Sequence, residues 1–472
     1  MNVVEKVPFK LFPLNKTNDN TYSYFASSPL INFQFEQNGS RVIDPSSLKL
    51  VGRFRVFNKN SDNRAPANRF DVNGTANALP QEYEKVCYPD DRVSVSSCIQ
   101  TLTISNLKGQ IFEQIREYNR MLSSLLGASA SFRDYCSVYQ NTWGAYPNND
   151  CVSRAVSGDQ PFALPLRSGF LMEPQPISLA NGGLKLTINL SSDSVVLYGL
   201  NGGDFVYELR DLFLSGNYLV LDKPVAPQKG AMLQYHQFYN YLNTLNSGND
   251  HQNLALNLSE VVSVYSNFIP SSWTANSSYN GMSTPKLKDG ATFSDVNINR
   301  IKFNRGAVSY PLTFPIDELR ANQDSVFDAL RSRKFLNSIA GYYNLTHSTI
   351  SPESEDIEDM ITDRNEAQNL TSTNRWLRTP QGMDNGDVPA WSFANNAAWN
   401  RGGTVEKSGR VFGIGFRADQ LVADIPQNYD KAAYNYVIES GHNADLPNSV
   451  YTFCLAKSTV FADGQGGVVA QN

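Results

Sequence analysis

The chain has 472 residues, with 40 Lys and Arg against 45 Asp and Glu for a net charge of −5, and it is 41% hydrophobic, 11% aromatic and 18% charged. That length suits two or three domains, each able to bury a core, and 26 Phe, 23 Tyr and 5 Trp at so small a net charge exclude a disordered chain. The charged fraction lies below the ~25% usual for soluble proteins, so neutral groups, 48 Asn among them, carry much of the polarity.

Residues 1–28 read as an extended N-terminal arm. Glu5, Lys6 and Lys10 interrupt any signal-peptide core, and nowhere does an apolar run reach the roughly 18–20 residues that span a bilayer, which points to a soluble protein made in a cytosol. Lys6, Lys10 and Lys16 against Glu5 and Asp19 leave the arm at about +1, too little to neutralise many phosphates. Strong direct nucleic-acid binding is not expected.

From Leu48 to Phe57 the chain alternates with period two: Leu48, Leu50, Gly52, Phe54 and Val56 on one face, Lys49, Val51, Arg53, Arg55 and Phe57 on the other. This is a strand with one buried face. Ile111, Ile115, Tyr118, Leu122, Leu125 and Leu126 then follow helical spacing and predict a helix over about Leu107 to Leu126, stopped by Gly127. A long polar excursion, Ala130 to Gln160, separates it from the alternating run Leu184 to Leu190.

Asp222 to Gly230, with Pro224, Pro227 and Gly230, is the clearest boundary. Beyond it, Asn257 with Glu260 three residues later forms a capping-box pattern and predicts a short helix ending before Pro270. A second excursion spans Pro270 to Gly290, and Ile298 to Phe303 alternates as a strand. Another helix is expected after Pro315, running toward Gly341. The excursion Thr346 to Gly403 holds an acidic cluster of Glu353, Glu355, Asp356, Glu358, Asp359, Asp363 and Glu366, and Phe412 to Phe416 returns to strand alternation. Many short strands with few isolated helices indicate an all-β chain of sandwiches or barrels, not a β-α-β architecture.

Chemistry is sparse. There is no Gly-x-Ser-x-Gly elbow, no phosphate-binding loop and no His-Glu-x-x-His. His236, His251, His347 and His442 are too scattered for a metal site, and Cys87, Cys98, Cys136, Cys151 and Cys454 form neither a disulfide framework nor a zinc motif. No catalytic, cofactor-binding or metal-binding residue is assigned. The acidic cluster lacks calcium-loop spacing and reads as a solvated face. Trp376, Trp391 and Trp399 suit either sugar stacking or subunit contacts.

The order of segments nevertheless resembles one family. Ile43-Asp44-Pro45 to Val56, Val95 to Ile104, Ile111-Phe112-Glu113-Gln114-Ile115-Arg116-Glu117-Tyr118-Asn119, Phe162-Ala163-Leu164-Pro165-Leu166 with Ser168-Gly169, and Gly182-Gly183-Leu184 to Leu190 fall in the first half. Tyr235 to Tyr241, Asn257 to Phe268 with Ile269-Pro270, Tyr310-Pro311 and Phe412-Gly413-Ile414-Gly415 follow in the second. Collinear over about Ser28 to Lys457, they resemble the double jelly-roll major capsid proteins, above all those of polinton-like viruses and virophages.

The resemblance implies two tandem eight-stranded jelly-roll β-sandwiches: an arm at 1–28, a first jelly roll at 29–222 with its helix near 107–126, a linker at 223–230, a second jelly roll at 231–461 and a tail at 462–472. It implies a non-enzymatic capsid protein of the virion, made and assembled inside an infected cell. Homotrimers would form pseudo-hexagonal capsomers tiling an icosahedral shell of a double-stranded DNA virus, beside penton and minor capsid proteins. The arm would lie inside the shell, so that removing about the first 20 residues leaves a soluble trimer and impairs assembly. The residues alone also allow a carbohydrate-binding or carbohydrate-hydrolysing β-sandwich.

Overall fold

The computed structural model describes residues 2–16, 22–58, 89, 93–129, 160–197, 205–227, 229–246, 250–256, 258, 261–277, 281–282, 298–305, 308–315, 413–417, 434–440, 448–465 and 467–471. The helix expected after Pro315, the acidic cluster, the three loop tryptophans, His347, His442, Cys87, Cys136 and Cys151 lie outside the described residues.

The first half contributes β1 (Val3–Leu11), β2 (Leu30–Phe35), β3 (Arg41–Asn58), β4 (Ile99–Ser105), β5 (Ile111–Arg116), helix α1 (Tyr118–Ser129), β6 (Gln160–Pro165), β7 (Ile177–Ser178), β8 (Leu184–Leu190), the single turn α2 (Asp193–Val196) and β9 (Phe205–Leu221). One sheet runs β1-β9-β3-β6, with β7 also on β3, and the other runs β2-β8-β4-β5. All these pairings are antiparallel. Alternation decides the faces: in β8, Leu184, Leu186, Ile188 and Leu190 are buried while Lys185, Thr187 and Asn189 are not. In β3, Leu48, Leu50, Gly52, Phe54 and Val56 are buried as the pattern requires. The two inner faces meet in one core, where Phe35 of β2 sets its ring edge-on to Phe9 of β1 at 5.3 Å and to Tyr218 of β9 at 6.2 Å.

The second half supplies β10 (Met232–Leu245), β11 (His251–Leu256), β12 (Val261–Pro270), β13 (Ile298–Arg305), β14 (Val308–Pro315), β15 (Gly413–Arg417), β16 (Tyr434–Ser440), β17 (Asn448–Ala462) and β18 (Val468–Gln471). Its sheets run β10-β17-β12-β15, with β18 also on β17, and β11-β16-β13-β14. Among the described residues no strand of the first half pairs with one of the second. Among the described residues each half thus holds eight strands on its two sheet paths plus one short extra strand.

Three local expectations are corrected. Ile111–Arg116 is the strand β5, not helix; the helix begins only at Tyr118, after Glu117 adopts φ 54°. A tight turn makes the difference: Asn106 Oδ1 accepts the amides of Lys108 (3.1 Å) and Gln110 (2.9 Å), Gly109 sits at φ 84°, and β5 folds back on β4. The segment expected as a helix from Asn257 forms β12 over Val261–Pro270, paired with both β17 and β15. Its run of Val261, Val262, Val264, Tyr265, Phe268 and Ile269 is rich in strand formers, and ladders on both sides override a local capping pattern. Within the segment expected as an extended arm, Val3–Leu11 is an edge strand of the first sheet.

Candidate functional site at the seam between the two sandwiches

The halves meet where the β5–α1 corner of the first lies against β10, β17 and the segment after β12 of the second. β10 is an edge strand, and an edge exposes a row of backbone groups that need partners. Here side-chain carboxylates cap alternate amides. Phe238 N donates to Glu113 Oε1 at 2.7 Å, and His236 N donates to Glu173 Oε1 at 2.8 Å. Asn240 Nδ2 donates to the carbonyl of Arg116 at 2.6 Å.

Glu113 is the centre of this arrangement. On β5 it is 1% exposed, and besides Phe238 N it accepts Gly169 N at 3.1 Å and Phe170 N at 2.9 Å, with the Ser168 hydroxyl as a further donor. Burial is the larger influence on its acidity and outweighs these bonds, so the carboxyl is pushed up to about 7. One side chain therefore ties β5, the loop after β6 and the edge of β10 together. Beside it Phe112 stacks on Phe170 at 5.0 Å, Tyr235 meets Phe170 edge-on at 5.0 Å, and Tyr235 Oη donates to the carbonyl of Phe112 at 2.9 Å. A cavity of about 290 Å³ adjoins these rings, walled also by Pro176, Met232 and Val460.

The loop fits only because residue 169 is glycine. A Cβ there would lie 2.4 Å from the carbonyl oxygen of His236. Gly169→Ala is expected to push the loop off β10 and lower stability by about 2 kcal/mol, measurable by denaturant unfolding, because neither backbone can yield alone.

A second contact is built on α1. Asn119 faces its own sandwich, its Nδ2 donating to Ser97 O at 3.0 Å and Ser191 Oγ at 2.9 Å. The next residue, Arg120, faces the other. Only 4% exposed, it donates from Nε to Gly281 O at 2.9 Å and from Nη2 to Thr274 O at 2.7 Å, pairs with Glu117, and sets its guanidinium 4.7 Å from the ring centre of Tyr451 on β17. Lys108 at the β4–β5 turn adds a bond to Gln465 O at 2.6 Å.

Of the residues weighed in the sequence, His236 lies in this seam, while Cys98 and Cys454 are free thiols whose burial pushes both well above the ordinary thiol range. Among the described residues no group of His, Cys, Asp and Glu is placed to hold a metal ion, and no helix is long and apolar enough to cross a membrane. The arrangement joins the two pairs of sheets through buried polar contacts.

No protein-family model and no curated protein matches the chain. Solved structures do. A chain of the PBCV-1 virus capsid aligns at TM-score 0.53 and 10% identity over 100% of this chain and 98% of its own. The chain has the double jelly-roll fold. The mavirus major capsid protein shares this double jelly roll at TM-score 0.50 and 9% identity, covering 98% of this chain and 90% of its own. A chain of the Sputnik virophage does so at TM-score 0.50 and 11% identity, covering 100% and 89%. β1–β9 build the first pair of sheets and β10–β18 the second, with the Glu113 and Arg120 contacts as the seam between them.

Proposed function

We propose that this protein is a major capsid protein, a non-enzymatic building block of a virion shell. The observation that carries the reading is end-to-end correspondence: both jelly rolls, in order, match solved capsid chains over nearly the full length of each partner. A seam joined by buried polar contacts supports it further, because one defined closed arrangement of the two jelly rolls gives every copy the same footprint, as closed point-group assembly requires. In this reading three copies form a pseudo-hexagonal capsomer of six jelly rolls, and capsomers tile an icosahedral shell of a double-stranded DNA virus beside penton and minor capsid proteins. The 18% charged fraction suits close packing of identical surfaces with little like-charge repulsion.

Size-exclusion chromatography with light scattering tests this. A particle of three times 52.5 kDa, with a pseudo-sixfold outline in electron micrographs, is expected. A stable monomer that binds or cleaves glycans would instead establish a carbohydrate-active sandwich.

A further inference from the structure

We propose that the seam is a proton-operated latch: protons close the β5 corner and the Ser168–Phe170 loop onto the edge of β10, and their loss lets the two jelly rolls part. The latch is a feature of the single chain and does not depend on the assembly proposed above.

The geometry concentrates the titratable chemistry of the contact on one strand edge. Two consecutive outward amides of β10, those of His236 and Phe238, bond to carboxylates of the other jelly roll and not to a neighbouring strand. All four groups that bond Glu113, the amides of Gly169, Phe170 and Phe238 and the hydroxyl of Ser168, are donors. The anion thus keeps every bond but sits desolvated in the core, whereas the acid gives up a bond and sheds the cost of the buried charge.

The sign follows from the difference between closed and open seam. Closed, the Glu113 carboxyl is held at about 7 by burial; open, it meets water and returns to its ordinary 4.5. Closing therefore takes up a proton between these values. The advantage of the closed state is complete below about 4.5 and is lost as pH rises through about 7.

The neighbouring groups leave that sign intact. Tyr118 on α1 and Tyr235 and Tyr239 on β10 face Glu113, and burial raises all three hydroxyls, so they stay neutral throughout. Arg167 lies close enough to Tyr118 to act on its charge, with the Arg167 amide bonded to the tyrosine oxygen. At the second carboxylate, His236 Nδ1 is 2.8 Å from Glu173 Oε1. Lys457, opposite His236 on β17, is the cation there. The pH dependence of the seam rests on the buried Glu113; Glu173 and His236 are partly exposed and their contact is screened.

Hydrogen–deuterium exchange of the full chain from pH 5.5 to 8.5, corrected for the intrinsic pH dependence of exchange, tests the latch. Peptides covering residues 168–172 and 235–240 are expected to lose protection by about tenfold between pH 6 and 8, since each pH unit weakens closing about tenfold up to the titration point of the closed seam and the loss levels off above it. Peptides of β8 should not change, and Glu113→Gln should flatten the profile. Uniform protection across this range, or a pH dependence that survives Glu113→Gln, overturns the proposal. Should that variant fail to fold, infrared titration of the wild type decides: a carboxylic-acid band with a midpoint near 7 is expected, and its absence overturns the latch.

Discussion

Deletion of residues 1–20 is expected to destabilise the first jelly roll by about 5 kcal/mol or more, and not merely to unhook an assembly arm, because the lost segment completes a sheet and part of a core. β1 pairs with β9 at eight positions from Val3 to Leu11. Phe9 lies 4.4 Å from the ring of Tyr218 and 5.3 Å from that of Phe35, over Gly216, where a Cβ would come within 2.8 Å of the Phe9 ring. Beyond the strand, Asn15 stitches the first sheet's edge to the second: its Oδ1 accepts Asn32 N at 2.9 Å, its Nδ2 donates to Leu30 O, and its carbonyl accepts the hydroxyl of the buried Tyr24. Without these residues β9 becomes a bare edge flanked by exposed apolar rings, a setting that favours aggregation. Phe9→Ala alone should cost about 2–3 kcal/mol. Chemical denaturation of the truncated chain checks this; wild-type stability with lost particle assembly would restore the reading of an arm that serves assembly alone.

How much of this was legible in the sequence depended on whether a residue's fate was set locally. β3 and β8 bury one face each, and the alternation of Leu50, Phe54 and Val56 or of Leu184 to Leu190 names that face directly. The change of sheet system between Leu221 and Met232 is marked by Pro224 and Pro227. Where the chain turns back within a few residues, periodicity misleads: Ile111 and Ile115 fit a helical stripe, yet Ile111 is 54% exposed and Ile115 is buried in a sheet. Val261–Pro270 is strand because β17 and β15 flank it, partners far away in sequence. The run Ile111-Phe112-Glu113 gives little by which to tell a solvated glutamate from the buried one at the seam. That role is fixed by Gly169, Phe170 and Phe238, which lie 56, 57 and 125 residues away. The one local signal was the placement of an acid between Phe112 and Ile115, both core residues, on a strand rather than a helix.

Arg120→Ala is expected to lower stability by about 3–5 kcal/mol and to uncouple the jelly rolls, because it removes one member of a buried charged contact and strands the others. The carbonyls of Gly281 and Thr274 and the carboxylate of Glu117 would lose their donor, and the Tyr451 ring its cation. In calorimetry the wild type should melt in one transition and the variant in two, since Asn119 still anchors α1 to the first jelly roll through Ser97 and Ser191 while the second is released. Arg120→Lys should recover only part of the loss: one ammonium serves a single direction, whereas the guanidinium meets two carbonyls and a carboxylate at once. Arg53→Ala is the control. Its guanidinium is 52% exposed and 3.8 Å from an Asp211 carboxylate that is 72% exposed, and such a pair contributes no more than about 0.5 kcal/mol. An equal effect of the two substitutions would show that charge alone, and not burial at the seam, makes Arg120 matter.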